Sequence, residues 1–160
     1  MLERIVLCQD NYEVWDQLCH VSRDSWYWQT SLWIEYTLSL RGTAVEKNLS
    51  YLLYENKKPI AGVLLFLELS ADQKVLGFAG RAPVPFLAPW LSPTDRQRVL
   101  NLLFQDLEKL GLEHGAVGAQ LVHPVLAEST DSHKIPFPKY GYLDVSYLTC
   151  ILDLRLPVEE

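Results

Sequence analysis

Residues 80–93 read Gly-Arg-Ala-Pro-Val-Pro-Phe-Leu-Ala-Pro-Trp-Leu-Ser-Pro, and they connect an apolar, strand-like run at 75–79 to a helix that begins near Ser92. In α/β domains, a strand-to-helix junction of this kind usually holds a phosphate or a cofactor. This junction contains four prolines, which have no backbone N–H to donate. The stretch is therefore expected to form a stiff, extended wall rather than a phosphate cradle.

Three side chains are expected to be displayed on this wall, namely Arg81, Phe86 and Trp90. Arg81 is the only charged residue between Gly77 and Thr94, so it is the group best suited to hold an anionic ligand there. Two interpretations of the wall stay open, because loops carry function but ordinary turns also use proline: it lines a binding site, or it is a rigid connector. The chain contains neither G-x-G-x-x-G nor G-x-x-x-x-G-K-[ST].

The composition indicates one soluble globular domain over residues 1–160, with 49% hydrophobic and 21% charged residues. A formal charge of −6, with no basic cluster beyond Lys57-Lys58, argues against a nucleic-acid partner. The longest apolar run, 60–67, is too short to span a bilayer, and residues 1–5 do not resemble a signal peptide. A cytoplasmic location is therefore expected. The three cysteines, with no C-x-x-C pair, are expected to be buried reduced thiols.

Hydrophobic periodicity and turn residues predict the order β-α-α-β-β-β-α-β-β. Strands are expected at 4–8, 49–55, 59–69, 75–79, 116–122 and 147–154, and helices at 10–22, 30–40 and 92–110. The three middle strands are expected to form an antiparallel meander, and 116–122 to be buried on both faces. The third helix has Ser92 as N-cap, Pro93 at its first position and Gly111 just past its end.

This element order, with a crossover between the fourth and fifth strands, resembles the GNAT acyltransferase fold. More specifically, the chain is similar to the first GNAT-like half of FemAB-type transferases. That resemblance is carried by four stretches, at 28–33 (WQTSLW), 59–62 (PIAG), 80–84 (GRAPV) and 140–154, from Tyr140-Gly141-Tyr142 to the closing strand. It implies a mixed, largely antiparallel six-stranded α/β sheet flanked by helices, and a family that transfers aminoacyl or acyl groups to an amine.

Two departures from the family pattern bear on function. GNAT enzymes carry a [QR]-x-x-G-x-[GA] pyrophosphate motif after the fourth strand, whereas here Arg81 is followed by Ala-Pro-Val-Pro-Phe. Because this motif of the family is missing, we expect the chain to bind no cofactor tightly by itself. An acyl-CoA or aminoacyl donor is then held only by a partner half. FemAB-type proteins also pair two GNAT-like halves, so a homodimer or a second half is an expected partner, together with a small-molecule acceptor. The alternative function is a non-enzymatic module that binds a protein or a small ligand.

The candidate catalytic residues are Glu68, late in a strand, His123, at the end of the fifth strand, and Tyr142, in the family-like closing segment. A carboxylate can deprotonate an attacking amine, and a tyrosine can protonate a leaving group. For each of them a structural role stays open, as a surface ion pair, a satisfied histidine or a packing tyrosine. The substrate-binding candidates are Arg81, Phe86, Trp90 and Gln120. No metal site is expected, because the four histidines lie on different segments with no ligand spacing.

Overall fold

The computed structural model describes residues 2–41, 44–79, 82–122 and 140–143. Its strands are β1 (Leu2–Val6), β2 (Val45–Asn48), β3 (Tyr51–Glu55), β4 (Lys58–Val63), β5 (Phe66–Ser70), β6 (Gln73–Gly77), β7 (Ala82–Pro83), β8 (Phe86–Leu87) and β9 (Leu121–Val122). Its helices are α1 (Tyr12–Val21), α2 (Ser31–Arg41) and α3 (Pro93–His114). The described residues thus form a mixed α/β fold whose strand pairs are mostly antiparallel, as the sequence predicts. The predicted strand at 147–154 lies outside them.

The strands form three small sheets, with the orders β1-β3-β4-β8, β2-β5-β6 and β7-β9. The hairpins β3–β4 and β5–β6 confirm the predicted turns at 56–58 and 71–74. The first hairpin turns through Asn56 and Lys57, both with positive φ, as a two-residue turn of the type preferred in hairpins requires. The pair β7–β9 and the bridge between Leu76 and Ala119 are parallel, which confirms the crossover through α3.

The single strand predicted at 59–69 is wrong, because the chain changes sheets in its middle. Ser50 lies at the change: its hydroxyl donates to the carbonyl of Leu65 and accepts the N–H of Leu65, both at 3.0 Å, in place of a strand partner. The segment before Leu64 therefore pairs with β3 as β4, and the segment after Leu65 pairs with β2 as β5. Strand β2 was not predicted, because its sequence, Val-Glu-Lys-Asn, is mostly polar and exposed.

Helix α3 begins as predicted but ends later. Ser92 is its N-cap and accepts the N–H of Asp95, and Pro93 occupies the first position. The predicted stop at Gly111 is wrong, because the helix continues to His114 and is capped by Gly115 at φ 66°. The N–H of Ala116 reaches back to the carbonyl of Gly111, which is the pattern of a left-handed glycine end.

Two burial expectations also fail. The segment 116–122 is half-buried to exposed instead of buried on both faces, because only Leu121–Val122 forms a strand and pairs on one side with β7. Cys19 is buried in α1 as expected, but Cys8 is exposed in the turn before that helix. Cys150 lies outside the described residues.

The core lies between the sheets and the helices. Helix α1 packs against β4, and α3 packs near β6 with a buried face of Val99, Leu103, Phe104, Leu107 and Leu110. Near the junction of the sheet and α1, the ring of Phe86 meets Trp15 edge to face, with centroids 4.9 Å apart. The same ring lies directly over Gly62, its pairing partner on β4.

Gly62→Ala is expected to destabilise the protein by about 2–3 kcal/mol, because a Cβ at this position would lie 2.1 Å from the Phe86 ring in a closed core. The matched control is Gly118→Ala, whose Cβ would meet nothing within 4 Å, and it should change the free energy of unfolding by less than about 0.5 kcal/mol. Urea denaturation of the two variants measures both values. Equal stability of the two variants would contradict the packing of Phe86 on Gly62.

Candidate functional site

The edge of the Val84–Leu87 segment that faces away from β4 is closed by side chains of the chain itself. The N–H of Leu87 donates to Asp24 Oδ2 at 3.0 Å, and the carbonyl of Leu87 accepts the hydroxyl of Ser22 at 2.7 Å. Three residues earlier, the carbonyl of Val84 accepts from Gln29 Nε2 at 3.1 Å, and its N–H bonds the carbonyl of Val122. The backbone groups that a bound ligand would need at this edge are therefore already paired.

Asp24 also fixes the start of α3. Its two carboxylate oxygens each accept from Arg96 Nη2 at 2.8 Å, and its own N–H is bonded to the Ser22 hydroxyl. The carboxyl group is nearly buried, whereas the guanidinium is partly exposed. Charge-assisted bonds of this kind are stronger than neutral ones, so this pair ties β8, the α1–α2 connector and α3 into one unit.

Gln29 has the same function at the other end of the connector, residues 22–30. Its buried side chain donates to the Val84 carbonyl and accepts the N–H of Trp26. The backbone carbonyl of Gln29 accepts from Trp15 Nε1 at 2.6 Å. The Cys19 thiol points to the same carbonyl, and burial, followed by the charge of Asp16, raises the pKa of that thiol well above its ordinary value. Cys19 therefore stays protonated at neutral pH and is a packing group rather than a nucleophile.

The first turn of α3 is unsuited to an anion. Helix N-termini attract phosphates through free N–H groups and the helix dipole. Here the Ser92 hydroxyl takes the N–H of Asp95, Pro93 has no N–H, and the Asp95 carboxylate lies 2.6 Å from the Ser92 hydroxyl. A phosphate at this position would meet a carboxylate and few free donors.

Two of the predicted site residues lie around the turn that joins β6 to β7. Glu68 is only 6% exposed, and its Oε1 accepts the N–H of Ala79, a residue held at φ 53°. Gln120 has an exposed side chain, and its backbone bonds Leu76 on β6 and Ala82 on β7. The interpretation of Glu68 as a surface residue is wrong, because its side chain is buried. Arg81 and His123, which flank this region in sequence, lie outside the described residues.

The other predicted residues have different surroundings. Trp90 is 55% exposed in the turn between β8 and α3, as expected for a wall residue. The prediction that Phe86 is displayed on this wall is wrong, because Phe86 is completely buried between Gly62 and Trp15. Tyr142 packs edge-on against Phe104 of α3. Burial, with a further contribution from Glu108, raises the pKa of Tyr142, so its phenol remains a proton donor at neutral pH.

Sequence reasoning missed Ser22, Asp24, Gln29 and Arg96. The available signal was a set of polar residues in the short connector between two helices. The side chains of such residues often pair with the backbone N–H and C=O groups that the connector passes.

Among residues 2–41, 44–79, 82–122 and 140–143, no group of three or more His, Cys, Asp or Glu side chains is placed to hold a metal ion. None of the described helices is both long and apolar enough to cross a membrane.

The chain matches no protein-family model and no curated protein. Solved structures do match it. The aminoglycoside 6'-N-acetyltransferase AAC(6')-IG of Acinetobacter haemolyticus is similar with a TM-score of 0.56 and 14% identity, over 94% of this chain and 99% of that one. The ribosomal-protein-alanine N-acetyltransferase of Brucella melitensis biovar Abortus 2308 gives 0.57 and 6% identity, over 96% and 100%.

The aminoglycoside N-acetyltransferase AAC(6')-Iy, solved in complex with CoA, gives a TM-score of 0.56 and 12% identity, over 96% of this chain and 95% of that one. These similarities establish the GNAT-like fold of the chain and its mixed α/β architecture. Sequence identities this low show a shared fold and nothing about function.

Asp24→Ala is expected to lower the free energy of unfolding by about 2–3 kcal/mol, because it leaves the Leu87 N–H and the Arg96 guanidinium without their carboxylate. The control, Asp10→Ala in the exposed turn before α1, should cost less than about 0.5 kcal/mol. Thermal and urea unfolding of both variants give the comparison. A loss at Asp24 no larger than at Asp10 would show that the edge of β8 does not depend on this carboxylate.

Proposed function

We propose that the chain is an acyl- or aminoacyl-transferase-type half domain, related to the first half of FemAB-type transferases. In this proposal it supplies the acceptor side of a site and binds no acyl donor tightly by itself. The donor, an acyl-CoA or an aminoacyl carrier, is held by a partner with a second GNAT-like half. The fold and the sequence similarity at 28–33, 59–62 and 80–84 support the family.

The observation that carries the proposal is the closed outer edge of the Val84–Leu87 segment together with the occupied start of α3. Asp24, Ser22 and Gln29 take the polar backbone groups of the strand, and Ser92 with Asp95 takes the first turn of the helix. A pyrophosphate needs several convergent N–H groups and no nearby negative charge. Neither the outer edge of the Val84–Leu87 segment nor the first turn of α3 offers such a cradle, and the proposal therefore gives the chain the acceptor role.

Transfer to an amine needs three functions. The amine nitrogen bonds to the acyl carbon as the bond to the leaving group breaks, a base removes a proton from the nitrogen, and an acid protonates the leaving group. In the proposal, Glu68 is the base, and Tyr142 or His123 is the acid. Arg81 anchors an acidic group of the acceptor, beside Gln120 and Trp90. The raised pKa of Tyr142 keeps its phenol in the protonated form that an acid needs, although it also makes the phenol a weaker acid than an ordinary tyrosine.

The second candidate function is a non-enzymatic binding module. It is favoured by the exposed rings of Trp90, Tyr27 and Trp28, since rigid exposed aromatic side chains are typical of recognition surfaces. In this alternative the aromatic and proline-rich surface binds a protein or a small ligand, and Glu68 and Tyr142 are structural.

Calorimetric titration with acetyl-CoA is expected to show no binding up to about 1 mM, because the Leu87 N–H is paired with Asp24 and the first turn of α3 presents few free N–H groups beside the Asp95 carboxylate. The positive control in the same buffer is AAC(6')-Iy, which has been solved with CoA. A dissociation constant in the low micromolar range for this chain would contradict the acceptor-half proposal and indicate a self-sufficient acetyltransferase.

Arg81→Ala tests the acceptor role. If Arg81 binds the acceptor, the variant should melt within about 2 °C of the parent chain, yet lose any stabilisation by small dicarboxylates and acidic amino acids in a thermal-shift panel. The control is Arg98→Ala, which breaks a half-exposed ion pair with Glu55 and should leave ligand responses unchanged. A large loss of stability without ligand would assign Arg81 to the structure of its loop.

A further inference from the structure

Helix α2 is apolar on two opposite faces. Its inner face is buried through Ile34 and Thr37, and Leu38 packs against the core. Its outer face presents Leu32, Tyr36 and Leu40, which are 75%, 53% and 66% exposed. These three side chains, spaced four residues apart, form a continuous line that we call the outer ridge. Contiguous exposed apolar side chains of this kind are typical of interaction surfaces, and the outer ridge has no cover among the described residues.

The outer ridge is held rigidly at its N-terminal half. Tyr36 leans on Trp33, with ring centroids 5.2 Å apart, and Trp33 contacts Tyr27 at 5.0 Å. The contacts continue through Trp26 to Trp28, giving a row of five rings that begins in the connector. That connector is anchored to Val84 by Gln29, and the first turn of α2 is held by Asp16, which accepts the N–H of Ser31 at 2.8 Å. Little ordering is thus needed before a partner binds.

The ridge is symmetric about its centre. Leu32 and Leu40 lie four residues on either side of Tyr36, so an antiparallel copy of α2 presents the same order of side chains. Ridges of residues four apart are the ones that interlock in the commonest helix-packing class, with axes crossing at about −50°. A two-fold interface is built from the same patch on both subunits. This ridge therefore fits a second copy of itself better than an arbitrary surface.

No acidic side chain lies on the outer ridge itself, so the repulsion between two copies comes from their net charge. The only acid on α2, Glu35, accepts a hydrogen bond from Gln9 on the α1 side, at 3.4 Å. The net charge of −6 on each chain acts over longer distances, and about 0.15 M salt screens it within roughly 8 Å. Together with Tyr27 and Trp28, the ridge exposes on the order of 500 Å² of side-chain surface, which approaches the ~800 Å² per partner of a standard interface.

We propose that two copies of this chain associate through α2, with Tyr36 at the two-fold axis and Leu32 against Leu40 of the partner subunit. This inference goes beyond the proposed function, because it concerns self-association of the chain and not its pairing with a donor-holding half. Because the area is modest and the charges are alike, the dimer is weak, with a dissociation constant in the micromolar range. Added salt tightens it by screening the repulsion, whereas a basic partner would be weakened by salt.

Sedimentation equilibrium of the full chain tests the association. We expect a reversible monomer–dimer equilibrium below about 100 µM, tightened several-fold between low and physiological salt. Tyr36→Glu and Leu32→Glu should each weaken it at least tenfold. The control, Leu112→Glu, changes an equally exposed leucine on α3 and should leave it unchanged. A monomer at about 200 µM, or a dimer indifferent to Tyr36→Glu but lost in Leu112→Glu, would overturn the proposal.

A cross-link locates the axis. In a chain with Cys8→Ser and Cys150→Ser, Tyr36→Cys should form an intermolecular disulfide on mild oxidation, because a residue on a two-fold axis meets itself. Leu112→Cys in the same background should not. Cross-linking at residue 112 and not at 36 would place the interface elsewhere and overturn the proposal. Neither measurement involves the acyl donor or the acceptor. A negative result therefore overturns the dimer proposal alone, and the acyl-transfer proposal is tested separately by the ligand titrations.

Discussion

The structure depends on how the backbone N–H and C=O groups on the outer edge of the short strand β8 are paired. β8 pairs with β4 on one side only, and its proline-rich sequence offers few regular ladder partners on the other. Unpaired backbone groups in a buried strand cost free energy, and all residues from 82 to 88 are buried. Ser22, Asp24 and Gln29 supply the missing partners from the connector between α1 and α2. That connector is thereby held against the sheet, and Arg96 brings the start of α3 to the same carboxylate.

This arrangement has two consequences for function. The edge of the Val84–Leu87 segment and the N-terminus of α3 are occupied by the chain's own carboxylates, hydroxyls and amide, so these two places offer few free N–H groups to a phosphate. The same bonds fix the connector whose rings lead into α2, so aromatic surface is presented without a mobile loop. The hydrogen bonds of Ser22, Asp24 and Gln29 thus occupy the strand edge and also hold the aromatic surface of the connector and α2 rigid.

Local signals predicted much of the fold. The Ser92-Pro93 start of α3 and the polar turn at 56–58 each depend on residues a few positions apart, and each is observed at its predicted place. The break at Leu64–Leu65 was not predictable from its apolar run, because the hydroxyl that bonds the backbone there belongs to Ser50, 15 residues earlier. The late end of α3 has a similar reason: Gly111 can stop a helix, but nothing requires it to do so, whereas Gly115 adopts the left-handed conformation.

In the candidate site, the features that the sequence determined are clearly separated from those that only the tertiary structure decided. The sequence by itself determined the order of elements, the rigid proline-rich junction and the absence of a glycine-rich phosphate loop, because these follow from residue types and short spacings. Only the tertiary structure decided that Phe86 is buried over Gly62 while Trp90 is exposed, and that Asp24 binds Leu87, 63 residues away. Those outcomes depend on which distant backbone group or side-chain cavity comes within contact distance, and no local pattern encodes that.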